Sequence, residues 1–342
     1  MTPLCVPILL GHFMFLLRSL KAVCCGIGFC LLLTLSTPAC ALWIYLYAPW
    51  RLWGTPKTRG WALTKMEAGA NTWMRLMQGY IRTFHPTRWI CHFPQDILEH
   101  KNQGLFLISN HQSWVDIFVF IEVLGNKIPL FRFLLKRNLI FIPFFGFACY
   151  LLNCPFMRRY NKAQILKNPA LAKRDLQTIE RNCSRLREGP ITLFNFTEGT
   201  RFTAAKHKKQ SSPYLHLLKP KTGGLIQSFK TMPQYFTHIL DMTIYFPGKV
   251  PTFWDFMCGK VPTVYIHGRI LPVPDFLQHP GHYTDEALKE LTQDWIGKVW
   301  QHKDATLTRL IQEHQGHVVS FADTHESRYT DPIASQSVDP HA

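Results

Sequence analysis

The sequence predicts an α/β fold: a mixed, largely parallel sheet flanked by helices, with an N-terminal membrane-anchoring helical segment. Short apolar runs typical of buried strands recur along the chain, at residues 104–109, 191–196, 238–246 and 263–270. Helical stretches such as 171–187 separate them, and strands that alternate with helices favour parallel pairing. An uncharged run from Ala22 to Trp50 precedes this pattern. It is longer than the roughly 20 residues that cross a bilayer as a helix.

The amino-acid composition of the chain limits the classes of protein to which it can belong. A chain of 342 residues with 47% hydrophobic and 13% aromatic content can bury a sizeable core, which excludes disorder for most of it. The formal net charge of +16 favours an anionic partner such as nucleic acid, a phospholipid surface or a phosphorylated substrate. No nucleic-acid-binding pattern accompanies this charge, so we expect no nucleic-acid partner. The ten cysteines show no CxxC or zinc-like spacing, which predicts reduced thiols and no metal site.

The uncharged N-terminal run has the features of a membrane segment. It exceeds the apolar core of a secretory signal, about 7–15 residues. Arg51, Lys57 and Arg59 follow it, and such cations favour a cytoplasmic location for the chain beyond. Pro38 lies within the run, so the segment is either a single span or a re-entrant hairpin, and the sequence leaves both open.

The chain is expected to have three parts. Residues 1–56 form the membrane anchor, 57–315 the main folded domain and 316–342 a flexible polar tail without hydrophobic periodicity. Residues 65–90 predict an amphipathic helix, which suits either a lipid headgroup interface or packing on the core. This organisation predicts a membrane protein whose main domain lies on the cytoplasmic side.

Residues 110–116, Asn-His-Gln-Ser-Trp-Val-Asp, lie between the predicted strand 104–109 and a predicted helix at 117–124. Five residues of α-helix rotate by about 500°, so two helical side chains at this spacing would not face one substrate. We therefore expect His111 in the turn and Asp116 in the first turn of the helix. In that geometry the carboxylate orients a neutral imidazole, which acts as a general base.

Further residues suited to binding an anionic ligand lie in predicted loops and turns along the chain. In residues 196–201, Gly199 permits close approach of the backbone to a ligand, and Arg201 can bind phosphate through its planar fork. Glu198 can accept from a substrate hydroxyl or hold a neighbouring arginine. Lys136 and Arg159 lie near predicted loops, where either phosphate binding or a solvated surface role is possible. Residues 218–224 form a basic, glycine-containing turn.

Taken in order, these segments resemble the lysophospholipid acyltransferases of the PlsC type, the 1-acylglycerol-3-phosphate acyltransferase superfamily. Residues 110–116 resemble its HX4D motif, 136–159 its second block, 196–201 its EGTR block and 219–224 its fourth. The resemblance covers about residues 85–270 and is closest to the YihG-like branch. Thr197 replaces the proline usual before the glutamate, and the fourth block is rich in glycine, so the acceptor's identity stays open.

The resemblance implies transfer of a fatty acyl group from an acyl-CoA or acyl carrier protein thioester to a free hydroxyl of a lysophospholipid such as lysophosphatidic acid. His111 would be the base and Asp116 would orient it. The residues implied in binding the acceptor's glycerol phosphate are Lys136, Arg159, Glu198, Gly199 and Arg201. The expected partners are a phospholipid membrane, the lysophospholipid and the acyl donor, with no further cofactor. The alternative is a membrane-tethered lipid-binding or scaffold protein that keeps the fold without turnover.

Overall fold

The structure, a computed structural model, describes residues 5–94, 102–157, 190–320 and 329–330. The helices are α1 (Cys5–Leu46), α2 (Ala48–Trp53), α3 (Pro56–Phe84), α4 (Asp116–Leu124), α5 (Phe145–Leu151), α6 (Ala204–Gln210), α7 (Gly223–Thr231), α8 (Phe253–Met257), α9 (Asp275–Gln278) and α10 (Asp285–Ser320). The strands are β1 (Arg88–His92), β2 (Gly104–Ser109), β3 (Phe131–Phe133), β4 (Leu135–Lys136), β5 (Phe156–Met157), β6 (Thr192–Phe196), β7 (Phe236–Tyr245), β8 (Thr263–Pro272) and β9 (Tyr329–Thr330). The helix predicted at 171–187 lies outside the described residues.

Seven of the described strands form one mixed sheet in the order β3-β6-β2-β7-β8-β1-β9, and β4 and β5 form a separate two-stranded sheet. Only β7 and β8 pair antiparallel; the other neighbours in this sheet are parallel. The predicted mixed, largely parallel α/β fold is therefore confirmed. The four predicted strands correspond to β2, β6, β7 and β8, with small shifts at their ends.

Both faces of the sheet are covered, which explains the uninterrupted apolar strands. All six residues of β2 are buried, as expected for a central strand of a parallel sheet. On one face the core is formed with residues of α1, α3, α4 and α8. On the other face it is formed with residues of α7, α9 and α10. The sheet is thus the middle of three layers.

Helix α1 is continuous through Pro38, so the structure has a single helix here and not a hairpin. Its inner face packs on the domain, where Phe29 is fully buried against the rings of Tyr80 and Phe118. Contacts of α1 and α2 with α3 cross the domain boundary predicted at residue 56. Helices α1 and α2 therefore share one packed interface with the domain that follows them.

The outer face of α1 is apolar and exposed. Within it, the strongly apolar segment Leu16–Leu46 spans 31 residues, and little of it is buried against the rest of the protein. By length and composition, this segment is able to cross a membrane.

Two predicted boundaries are corrected by the structure. The helix predicted at 65–90 runs from Pro56 to Phe84, because Thr55 caps its start and the extended His85 precedes Pro86 at its end. Residues 88–92, partly assigned to that helix, instead form β1 beside β8. At the other end, α10 continues to Ser320, past the tail start predicted at residue 316.

Candidate active site

The motifs at residues 110–116 and 196–201 lie next to each other at the carboxyl edge of the sheet. Strands β2 and β6 are parallel neighbours in which Ser109 pairs with Phe196, so residues 110–116 and 197–201 leave the sheet side by side. The backbone N–H of Phe202 donates to the carbonyl of His111 at 2.7 Å. The N–H of Thr197 donates to the carbonyl of Ser109 at 3.2 Å. These bonds fix the two loops relative to each other.

His111 and Asp116 have the geometry that their spacing predicts. His111 lies in the turn, Asp116 is the first residue of α4, and Nδ1 is 2.7 Å from Oδ2. The same oxygen accepts from the backbone N–H groups of Gln112 at 2.7 Å and Ser113 at 3.1 Å. Complete burial raises the pKa of Asp116, while the hydrogen bond from His111 and these two amides lower it. Three donors therefore converge on Oδ2 and hold this oxygen of Asp116 next to the imidazole.

The imidazole of His111 is held on a second side by an aromatic ring. Its ring stacks on Phe196, with centroids 3.9 Å apart and planes 19° from parallel. The histidine side chain is 13% exposed. Because the bond to Asp116 holds the proton on Nδ1, Nε2 is the nitrogen able to accept a proton from a bound hydroxyl.

The turn itself is fixed by two residues whose positioning role the sequence analysis did not assign. The side-chain amide of Asn110 donates to the carbonyl of Ile244 and accepts from its N–H, both at 2.9 Å. The hydroxyl of Ser113 donates to the carbonyl of Pro251 at 2.7 Å. The sequence feature that could have identified both residues is their position inside the 110–116 motif, on either side of His111.

Gly199 lies where the EGTR loop meets the fourth motif. Its φ of +67° is in the left-handed region, and an added Cβ would lie 3.0 Å from Cδ of Lys221. The N–H of Lys221 donates to the carbonyl of Thr197 at 2.8 Å. The structure thus brings Lys221, which was not chosen from the sequence, next to the predicted phosphate-binding turn.

The side chain of Arg201 is exposed and contacts an aromatic residue of the 110–116 motif. Its guanidinium carbon lies 5.3 Å from the ring centroid of Trp114, a cation–π arrangement. Lys206 donates from Nζ to the hydroxyl of Thr200 at 2.8 Å and to the carbonyl of Arg201 at 2.9 Å. Trp114 and Lys206 were both missed as site residues. These contacts place two cations beside the turn that carries His111.

Glu198 occupies a different environment from its neighbours. Its side chain is buried, and Oε1 accepts from the N–H of Leu218 at 3.3 Å. Burial raises the pKa of Glu198 to about 8, partly offset by hydrogen bonds from the backbone of Leu218 and His111 and by the charge of Lys303. The contacts seen for Glu198 are thus structural, and its predicted binding of the acceptor stays a prediction.

This burial predicts a pH-dependent stability. Between the ordinary pKa of 4.5 and about 8, folded Glu198 keeps a proton that the unfolded chain releases. Stability should therefore fall by roughly 1 kcal/mol per pH unit from this group as pH rises through that interval. Glu198→Gln, which mimics the neutral acid, should remove this slope in thermal unfolding between pH 5 and pH 8. An identical slope in both proteins would show that Glu198 is already ionised when folded.

The side chains of two predicted site residues, Lys136 and Arg159, lie outside the part of the chain that the structure describes. The backbone of Lys136 lies in β4, which pairs with β5. Arg159 lies outside the described residues. The phosphate-binding roles of both stay predictions.

The described groups define the chemistry available at this edge. A histidine oriented by a buried carboxylate suits proton transfer, and the neighbouring Arg201 suits binding of an anion. Within residues 5–94, 102–157 and 190–320, no group of three His, Cys, Asp or Glu side chains is arranged to hold a metal ion.

Comparison with known proteins agrees with this class of site. Residues 88–244 match the family model described as Acyltransferase, and this range contains both β2 and β6 with the loops that follow them. The match supports the PlsC-type acyltransferase superfamily that the motifs of this chain resemble.

Particular relatives are similar at modest identity. The 1-acyl-sn-glycerol-3-phosphate acyltransferase gamma of Mus musculus is 27% identical over 220 residues, covering 59% of this chain and 52% of its own. The 1-acyl-sn-glycerol-3-phosphate acyltransferase 2 of Brassica oleracea is 25% identical over 250 residues, covering 68% and 56%. The chain spans about half the length of these curated relatives. The crystal structure of the 1-acyl-sn-glycerophosphate (LPA) acyltransferase PlsC from Thermotoga maritima is 16% identical, covering 84% of this chain and 97% of its own, with a TM-score of 0.41.

Proposed function

We propose that this protein is a membrane-bound acyltransferase that moves a fatty acyl group from a thioester to the free hydroxyl of a lysophospholipid. The observation that carries the proposal is the 2.7 Å contact between His111 Nδ1 and the buried Asp116, beside the loop that holds Arg201. This combination supplies a base and an anion-binding group at one edge of the sheet.

The proposed reaction is a single acyl transfer without a covalent acyl-enzyme. Nε2 of His111 removes the proton of the acceptor hydroxyl as its oxygen attacks the thioester carbonyl. The tetrahedral intermediate then collapses, the carbon–sulfur bond breaks, and the proton on the imidazole passes to the leaving thiolate. The products are an ester and a thiol. A positioned base of this kind contributes about 10²- to 10⁴-fold to the rate.

Lysophosphatidic acid is the acceptor we favour, because Arg201 and the nearby Lys206 suit a phosphate and the relatives carry 1-acyl-sn-glycerol-3-phosphate acyltransferase in their names. The proposed donor is acyl-CoA or acyl carrier protein, whose thioester is already activated. The proposed location is the inner (plasma) membrane, with the catalytic domain on the cytoplasmic side, supported by the apolar Leu16–Leu46 segment and the cations that follow it.

The direct test is a reconstitution assay with purified full-length protein. Labelled acyl-CoA and acyl carrier protein are offered in turn with a panel of lysophospholipids that differ in head group. We expect ester formation with lysophosphatidic acid and release of one thiol per ester. Lipid binding without turnover across the whole panel would support the scaffold function instead.

Arg201→Ala is expected to raise the KM for the acceptor about 10- to 100-fold, the size expected for losing a hydrogen bond to a charged group. The KM for the thioester should change much less, and the same pattern is predicted for Arg159→Ala. The measurement is a matrix of initial rates in both substrates. Arg309→Ala, in which an exposed arginine on α10 is replaced, serves as control. Equal changes for both substrates would contradict the phosphate-binding assignment.

A further inference from the structure

The 3-10 helix at Arg137–Phe141 and helix α5 are joined by a short turn that exposes large apolar side chains. We call residues 141–147 the aromatic turn. Its exposed apolar side chains are Phe141 at 80%, Ile142 at 44%, Phe144 at 45%, Phe145 at 37% and Phe147 at 40%. So many adjacent aromatic groups in water are unfavourable for an isolated soluble domain, and such patches mark interaction sites.

The aromatic turn has a fixed backbone. The N–H of Gly146 donates to the carbonyl of Ile142 at 2.9 Å, and that of Phe145 donates to the carbonyl of Pro143 at 2.7 Å. A Cβ on Gly146 would lie 2.1 Å from the carbonyl oxygen of Ile140, so only glycine fits. Phe144 has a φ of +62°, which is costly for an aromatic residue. The chain thus maintains a strained conformation that presents these side chains outward.

The aromatic turn adjoins the apolar outer face of α1. The hydroxyl of Tyr45 donates to the carbonyl of Phe144 at 3.0 Å, and its ring lies 5.3 Å from that of Phe147. Beside Tyr45, one stripe of α1 exposes Leu31, Leu35, Leu42 and Leu46, which lie within about 60° of one another around the helix. Through Tyr45 the two apolar surfaces become one.

Residues typical of a lipid headgroup region lie around this combined surface. Trp50 and Trp61 are exposed and in ring contact, with centroids 5.9 Å apart. Arg137, at the start of the 3-10 helix, and Lys65, whose carbonyl accepts from Trp43, are exposed cations. An apolar surface bordered by tryptophan and basic residues matches the chemistry of a bilayer interface. A second copy of the chain is a poorer fit, because two molecules of charge +16 repel each other.

We propose that the aromatic turn inserts into the acyl-chain region of a phospholipid bilayer as a second membrane contact beside α1. This inference deepens the proposed membrane-bound function and rests on it. Only the 3-10 helix Arg137–Phe141 separates the turn from β4, so insertion of the turn holds this part of the domain at the bilayer surface and fixes the orientation of the domain. Two membrane contacts, α1 and the turn, would fix the orientation of the domain relative to the bilayer, whereas α1 alone would allow the domain to rotate.

Photo-crosslinking tests the contact without requiring turnover. Full-length protein carrying p-benzoylphenylalanine in place of Phe141 is placed in vesicles of phosphatidylethanolamine and phosphatidylglycerol and irradiated. The control carries the same group in place of Leu215, which is 72% exposed on the other side of the sheet, beside α10. Mass spectrometry should find lipid adducts at position 141 at several times the yield at 215.

Equal lipid yields at the two positions would overturn the inference. Crosslinks at 141 to another copy of the protein in place of lipid would also overturn it and assign the turn to a dimer. Because lipid adducts form whether or not the protein is an enzyme, a failure here is distinguishable from a failure of the proposed acyl transfer.

A kinetic comparison extends the test to function. The double variant Phe141→Ser and Ile142→Ser should raise the apparent KM for a bilayer-embedded lysophospholipid by roughly tenfold. For a short-chain lysophospholipid dissolved as monomers, the same variant should keep the parent KM and kcat. Leu215→Ser is the matched control and should change neither. Equal losses for the embedded and the dissolved acceptor would indicate a general defect and contradict membrane insertion.

Discussion

His111→Ala is expected to lower kcat by about 10²- to 10⁴-fold, the contribution of a positioned general base. The substitution removes the acceptor of the hydroxyl proton, and no other described group holds the same place between Asp116 and the stacked ring of Phe196. Both KM values should change little, because the imidazole acts in the transition state more than in binding. Initial rates over both substrates measure this difference.

The control uses a second histidine–aspartate pair that the chain provides. His279 Nδ1 lies 3.1 Å from Asp275 in an exposed i,i+4 pair on and just after α9. His279→Ala removes the same side chain from a similar contact away from the site and should leave kcat unchanged. Retention of full kcat in His111→Ala would remove the proposed base and favour the lipid-binding or scaffold function.

Asp116→Asn is expected to lower kcat by roughly 10²- to 10³-fold, the size that loss of one preorganised electrostatic contact has in other enzymes. The three hydrogen bonds to Asp116 all end on Oδ2, so an asparagine oxygen in that position can keep them and preserve the orientation of His111. What is lost is the negative charge that stabilises the imidazolium formed during transfer. The buried position of this carboxylate makes that charge effective.

Three measurements separate this role from a general loss of structure. Thermal unfolding should show that Asp116→Asn remains folded, and Asp275→Asn should keep full activity as the matched control. The double variant His111→Ala and Asp116→Asn should be scarcely slower than His111→Ala alone, since the carboxylate acts through the imidazole. Independent, multiplying losses would contradict the orienting role.

The local pattern of apolar and polar residues was sufficient to predict much of the fold. The run 104–109 is apolar at nearly every position because β2 is covered on both sides, and its bounds were predicted correctly. Strand β1 was missed, because residues 88–92 carry a short, weakly alternating pattern and pair only with the distant strands β8 and β9. The continuity of α1 through Pro38 also depended on packing, since Phe29, Ala41 and Ile44 bind one face of the helix to the domain.

By itself, the sequence determined the fold class, the apolar N-terminal helix and the strand-turn-helix setting of His111 and Asp116, because each depends on spacing between near neighbours. Tertiary structure alone decided which loops meet: the pairing of β2 with β6 brings Phe196 under His111 and Arg201 over Trp114. It also decided that Lys303 is fully buried, 2.6 Å from Asp241. Such contacts join residues dozens of positions apart, and their existence depends on the sheet order, which no local periodicity encodes.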